Sequence, residues 1–168
     1  YIDEQIEFID SLNRNIRERL KIRLASDNFD WNLEKRLLDS GYENFFDNSK
    51  QKFIPRLNDC SLSVSTSNTT TFLETLSLNF PTIVFFNPIW HEIREDAKVL
   101  VDSLRGVGIL HETPDSAAIF LNGLGGDITN WWSGEELQKV RKEFCNTYAL
   151  KDSDWSHQWQ QLFKSLKK

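Results

Sequence analysis

The residues whose types and spacing could do chemistry are few, and they gather where apolar runs hand over to helical patterns. The stretch Ser65-Thr66-Ser67-Asn68-Thr69-Thr70-Thr71 is a hydroxyl-rich loop ahead of a helix carrying Phe72, Leu73 and Leu76. At a helix N-terminus the backbone N–H groups and side chains of Ser67, Asn68, Thr69 and Thr70 suit an anion, a phosphate or diphosphate above all. The same residue types also serve as ordinary helix caps. Glu74 follows about one turn into that helix, where a carboxylate can take a ribose diol or simply favour the positive end of the helix. A second loop, Asn87-Pro88-Ile89-Trp90-His91 with Arg94 one turn on, follows the most apolar run of the chain. His91 there has the chemistry of a general base or a phosphate partner, and equally that of a capping residue. Arg23, inside an early apolar run, offers a fork for a phosphate or for a surface carboxylate. Trp131-Trp132 reads as a stacking platform or as a staple onto a core. Asn68-Thr69-Thr70 matches a glycosylation acceptor, idle without a secretory signal. No Ser/His/Asp order, HExxH, P-loop or GxGxxG is present, so no catalytic residue is assigned, and Gly125-Gly126 is a turn.

These loops need elements to hold them. Ile2, Ile6, Ile9, Leu12, Ile16 and Leu20 recur with the period of an amphipathic helix. Apolar runs at Leu20 to Leu24, Asn44 to Phe46, Leu62 to Thr66, Thr82 to Phe86 and Gly108 to His111 read as strands. Helices are predicted at Trp31 to Asp39, Lys50 to Asp59 (interrupted or started by Pro55) and Thr69 to Leu78, and then in a long stretch from Ile89 to Leu104. Thr82 to Phe86 is β-branched and aromatic throughout, as in a strand buried on both faces. Thr113-Pro114 is a strong helix start. The alternation predicts an α/β fold: an open parallel, Rossmann-like sheet of about five strands with helices on both faces. Residues 129–168 form a helical tail of two amphipathic helices, Leu137 to Tyr148 and Trp155 to Leu166, that must pack on something.

The chain has 168 residues, 39% hydrophobic and 12% aromatic, which is enough for one packed domain over 1–168. No stretch is long and apolar enough to span a membrane and no signal core opens the chain, so the expected location is the cytoplasm. A net charge of −5 supplies no basic field for DNA or RNA. Cys60 and Cys145 lack metal or redox spacing and are expected to be reduced thiols, and neither a metal nor a cofactor is predicted. No Met occurs anywhere, and the chain is therefore expected to be a piece of a longer protein or a processed product.

The segment from Leu62 to Phe86, with its small-residue loop, the helix bearing Glu74, and Asn79-Phe80-Pro81 leading into a strand, resembles the C-terminal, donor-binding domain of GT-B-type glycosyltransferases. From Ile22 to Phe163, through Trp90, Arg94, Gly108, His111, Pro114, Trp131-Trp132 and Phe144, the chain is similar to transferases of bacterial surface-carbohydrate gene clusters. The resemblance implies a nucleotide-sugar substrate, with Ser67 to Thr70 facing its diphosphate and Glu74 its ribose. Arg23, Asn87, His91 and Arg94 are then candidate donor contacts. Asn79 replaces the usual glycine and tolerates the same left-handed turn. The acceptor-binding N-terminal half is implied as a partner, with the tail helices packing back across it. The parent is compatible with peripheral membrane association, and this chain alone is expected not to turn over. Two other readings stay open. One is the donor half of a nucleotide-sugar epimerase or hydrolase; the other is a non-enzymatic interaction domain docked through its Trp-rich tail.

Overall fold

The computed structural model describes residues 1–24, 32–150 and 154–166. Three short parallel strands form its sheet: β1 (Ser63–Ser65), β2 (Thr82–Phe85) and β3 (Leu110–His111), with β2 in the middle. Ser63, Val64 and Ser65 pair with Thr82, Ile83 and Val84, and Val84 and Phe85 pair with Leu110 and His111. Because side chains alternate across a strand, β2 divides its residues between two cores. Val84 and the following Phe86 enter one, Ile83 and Phe85 the other.

On the first face α5 (Thr70–Ser77), α6 (Lys98–Gly106), α8 (Ile128–Ser133) and α9 (Glu135–Tyr148) close over Val84, Phe86, Ile109 and Leu110. On the second, α1 (Ile2–Ser11), α3 (Leu33–Asp39) and α7 (Pro114–Gly123) cover Ile83 and Phe85 with Ile2, Phe8, Ile9, Leu37, Ala117 and Leu121. The short α2 (Arg14–Arg17) and α4 (Phe53–Arg56) lie in connections, and α10 (Trp155–Ser165) ends the described chain. The α/β class and the open parallel sheet with helices on both faces are as expected.

The sheet is smaller than the expected five strands. Leu20 to Leu24 and Asn44 to Phe46 meet in only one parallel bridge, Ile22 to Phe46. Ile22 donates to the Phe45 carbonyl at 2.7 Å and accepts from Asp47 at 2.8 Å, and no further rung forms among the described residues. Glu43–Phe45 coils into a 3-10 turn instead, in keeping with the low strand preference of Glu and Asn. Three expected helices are also shortened. Lys50 to Asp59 keeps only α4, Phe53–Arg56, followed by a 3-10 turn at Leu57–Asp59. The N-terminal one breaks after Ser11, because Leu12 is extended and Asn13 N–H donates to Asn122 Oδ1 of α7 at 2.8 Å. The helix expected from Ile89 begins only at Lys98, after a 3-10 turn at Glu95–Ala97. Pro88 and the Asn87 side chain, which accepts from Ile89 N–H at 2.9 Å, hold the preceding segment in a turn. The part of the helix expected at Trp31 to Asp39 that precedes Asn32 lies outside the described residues.

Local signals read from the sequence recur in detail. Thr113 caps α7, its side chain accepting from Ser116 N–H at 3.1 Å, with Pro114 at the first helical position. Asn79 takes the left-handed conformation, φ 54°. Its N–H and that of Phe80 close α5 by donating to the Leu76 and Thr75 carbonyls at 3.0 and 2.9 Å. Trp131-Trp132 is a staple: the two indole N–H groups donate to the Val107 and Asn79 carbonyls, each at 3.1 Å. Both cysteines are free thiols, Cys145 buried and Cys60 partly so.

Candidate functional site

The carboxyl ends of the three strands point the same way, and the loops leaving them form one edge of the molecule. Between the loop that follows β1, the loop that follows β2, α6 and α9 lies a pocket of about 230 Å³. Its wall is apolar: Phe72 and Leu73 from α5, Val84 and Phe86 from the central strand, Phe144 and Tyr148 from α9. Polar groups come from Asn68, Glu92 and Arg94. An apolar wall with a few converging polar groups is the usual make-up of a small-molecule site, and the edge beyond the strand ends is its usual place in such sheets.

The loop after β1 is held by its own hydroxyls. Ser65 Oγ donates to the Ser67 carbonyl at 3.4 Å, Ser67 and Thr69 share a hydrogen bond at 3.2 Å, and Thr69 N–H donates to the Ser67 carbonyl at 3.0 Å. Thr66 is drawn the other way, accepting from Gln5 at 2.8 Å and bonding Tyr1 at 3.2 Å. Thr69 occupies the cap position of α5, yet no side chain caps the first turn. The capping role available to these residues is therefore not taken up, in contrast to Thr113 on α7 and Asp127 on α8. Thr70 opens the helix and is exposed.

The candidate residues separate into groups. Asn68 and Arg94 meet at the pocket, and His91 stands beside it with its ring edge-on to Phe86, centroids 5.2 Å apart. Asn87 shapes the turn that presents Arg94. The Arg94 guanidinium is bidentate to Asp96, at 3.1 and 2.7 Å, on the open surface. Ser67, Thr69 and Thr70 neighbour Asn68 in the chain without lining the pocket, and Glu74 is exposed on α5, also outside the lining. Arg23 lies elsewhere: its guanidinium bonds Asp47 at 3.4 Å and the Gln51 carbonyl at 2.6 Å. Asp47 also takes Arg56 at 3.2 Å and Ser49 N–H at 3.1 Å. Burial opposes the Asp47 charge, but the bonds from Ser49 and Arg56 prevail and hold its carboxyl below the ordinary value.

Glu92, Phe144 and Tyr148 are pocket residues that sequence reasoning did not select. Phe144 and Tyr148 were visible as the apolar stripe of a tail helix; the structure lays that helix, α9, against α5 and α6, which brings both rings to the strand ends. Nothing in the sequence marks Glu92. At the foot of β3, burial pushes the His111 pKa down, although its Nε2 lies 3.1 Å from the Gly108 carbonyl. Its ring packs on Phe120, centroids 5.2 Å apart, in surroundings that disfavour its charged form. Among the described residues no group of three or more His, Cys, Asp or Glu is placed to hold a metal ion, and no helix is long and apolar enough to cross a membrane.

A family model described as LIC12162 family transferase matches residues 1–163. Neither the curated proteins nor the solved structures contain a match to the chain.

Proposed function

The chain belongs to the LIC12162 family of transferases, and on that premise we propose that it is the nucleotide-sugar-binding half of a glycosyltransferase, acting in surface polysaccharide or glycoconjugate synthesis. The observation that carries this reading is the apolar pocket at the carboxyl edge of the parallel sheet, with Asn68 and Arg94 converging on it. In the proposed arrangement the diphosphate lies over the start of α5, where Ser67, Asn68, Thr69 and Thr70 offer hydroxyls, an amide and uncapped backbone N–H groups. Glu74 takes the ribose hydroxyls. Arg94 adds a cation, with His91 and Asn87 at its side; Arg23, held by Asp47, contributes to the fold.

Transfer would then proceed as follows. An acceptor hydroxyl attacks the anomeric carbon, the bond from that carbon to the diphosphate oxygen breaks, and the electron pair leaves with the nucleoside diphosphate. The positive end of α5 and Arg94 stabilise that charge as it develops. The acceptor and the base that receives its proton belong to a partner half, so this chain contributes orientation and leaving-group stabilisation. No metal is required by the proposal.

The test is a thermal-shift screen of the chain against UDP, GDP, CDP, CMP and ADP. A ligand at one hundred times its dissociation constant adds about 2.7 kcal/mol to stability. One nucleotide should raise the melting temperature, and Glu74→Ala should remove the rise. If none shifts it at millimolar concentration, the proposal fails.

A further inference from the structure

Every described residue from Asp154 to Leu166 is exposed, although the helix they form is strongly amphipathic. In α10 the large apolar side chains are Trp155, Trp159, Leu162 and Phe163, with Leu166 just beyond. They recur at i, i+4, i+7, i+8 and i+11, which places them on a single stripe of roughly 100°. Their exposures run from 48% for Leu162 to 72% for Leu166. Trp159 and Phe163 face each other on that stripe, ring centroids 5.5 Å apart. The opposite side carries His157, Gln161 and Lys164, with a hydrogen bond of 2.7 Å between Gln161 and His157.

Charge decides what this face fits. From Trp155 to the last residue the sequence contains three lysines, at 164, 167 and 168, and no Asp or Glu. The chain as a whole is acidic, at −5, so this segment runs against the rest. A second copy paired through its own α10 would bring the same apolar stripe and set lysine against lysine, a like-charge contact. A bilayer offers both parts of the complement at once, an apolar layer for the stripe and anionic headgroups for the lysines. Tryptophan and phenylalanine on one side with lysine on the other is the composition of helices that lie in the plane of an interface.

We propose that α10 is a peripheral membrane anchor: it lies flat in the headgroup region of an anionic bilayer, with Trp155, Trp159, Leu162, Phe163 and Leu166 immersed and Lys164 at the phosphate level. This anchor is separate from the pocket at the strand ends and does not depend on what that pocket binds.

The experiment is flotation of the 168-residue chain with vesicles of phosphatidylcholine alone, and with vesicles one third phosphatidylglycerol. The chain should float with the anionic vesicles and far less with the neutral ones, and raised salt should release it. Trp159→Glu and Leu162→Glu should each leave the protein at the bottom of the gradient with an unchanged melting temperature, since both side chains are already in water. Lys164→Glu should weaken partitioning at least about fivefold. The proposal is overturned if the chain does not float with anionic vesicles, or if Trp159→Glu floats as well as the parent. It is equally overturned if sizing shows a dimer that Trp159→Glu dissolves and no vesicle binding, which would give the face to a second copy.

Discussion

Arg141 Nη1 donates to the carbonyl oxygen of Leu76 at 2.8 Å, joining the middle of α9 to the last turn of α5 across 65 residues of sequence. The arginine is only 8% exposed. Its Nε donates to Gln138 Oε1 at 3.0 Å, and Gln138 in turn donates to the Trp132 carbonyl at 2.7 Å. A carbonyl at a helix end lacks an intrahelical partner. Here it receives one charged N–H, from Arg141 Nη1, and Asn79 N–H at 3.0 Å. This chain of bonds fixes α9 against α5, and with it the position of Phe144 and Tyr148 on the pocket wall.

Arg141→Ala should therefore lower stability by about 2 kcal/mol, the usual value for a buried hydrogen bond to a charged group. Arg141→Lys should recover part of that, because one donor returns without the fork. Urea unfolding of the three proteins checks this. An unchanged midpoint in the alanine variant would mean that apolar packing alone seats α9.

Gly108 has φ +76°, and a Cβ added there would overlap the Phe120 ring. Gly108→Ala combines a left-handed backbone with overpacking, and should cost about 2–4 kcal/mol. Reduced melting temperature in the variant, with loss of near-ultraviolet signal from Trp131 packed on Phe120 at 5.4 Å, is the expected readout.

Two groups give opposite pH limits. Burial lowers the His111 pKa, so the unfolded chain takes up its proton first. Stability should fall as pH drops below about 6.5, the unfolded value, and level off once the folded ring is also charged. For Tyr42, burial and then the hydrogen bond to Asp10 push the pKa up to about 12. The unfolded phenol ionises earlier, so stability should fall again as pH rises from about 10 towards about 12. Urea midpoints across pH, with His111→Asn and Tyr42→Phe each removing its own limb, test both signs.

Arg94 is 82% exposed in its side chain and pairs with Asp96 on the surface, so Arg94→Glu should change stability by less than about 0.5 kcal/mol. Under the proposed function the same change should abolish the nucleotide-induced thermal shift. Equal shifts in parent and variant would remove Arg94 from the site.

What could be read from the residues was what short-range chemistry enforces. The apolar run Thr82 to Phe86 could only be a buried strand, and Thr113-Pro114 and Asn79 carry their helix-end geometry in their own side chains and backbone freedom. What could not be read was set by distant partners. Leu12 and Asn13 have the period of a continuing helix, and it is Asn122, on α7, that interrupts it. Leu20 to Leu24 has the apolar run of a strand, but among the described residues it forms one rung, at Phe46. At the candidate site Asn68 and Arg94 line the pocket, and both could be singled out because they follow strands. Phe144 and Tyr148 were not, because no periodicity tells where a helix beyond the last strand will lie down.

The fastening of α1 to α7 has a consequence in time. Ser11 Oγ donates to Asp115 Oδ1 at 2.7 Å, and Asn122 Nδ2 to the Ser11 carbonyl at 2.8 Å, contacts spanning 104 and 111 residues. As the chain is made, α1 emerges long before the surface of α7 that receives it. Ile2, Phe8 and Ile9 must wait, uncovered, until Ala117, Ala118 and Leu121 are in place. Such separated contacts slow folding, whereas β2, α6, β3 and α7 all lie between Thr82 and Gly123. α1 is therefore made well before the surface that seats it.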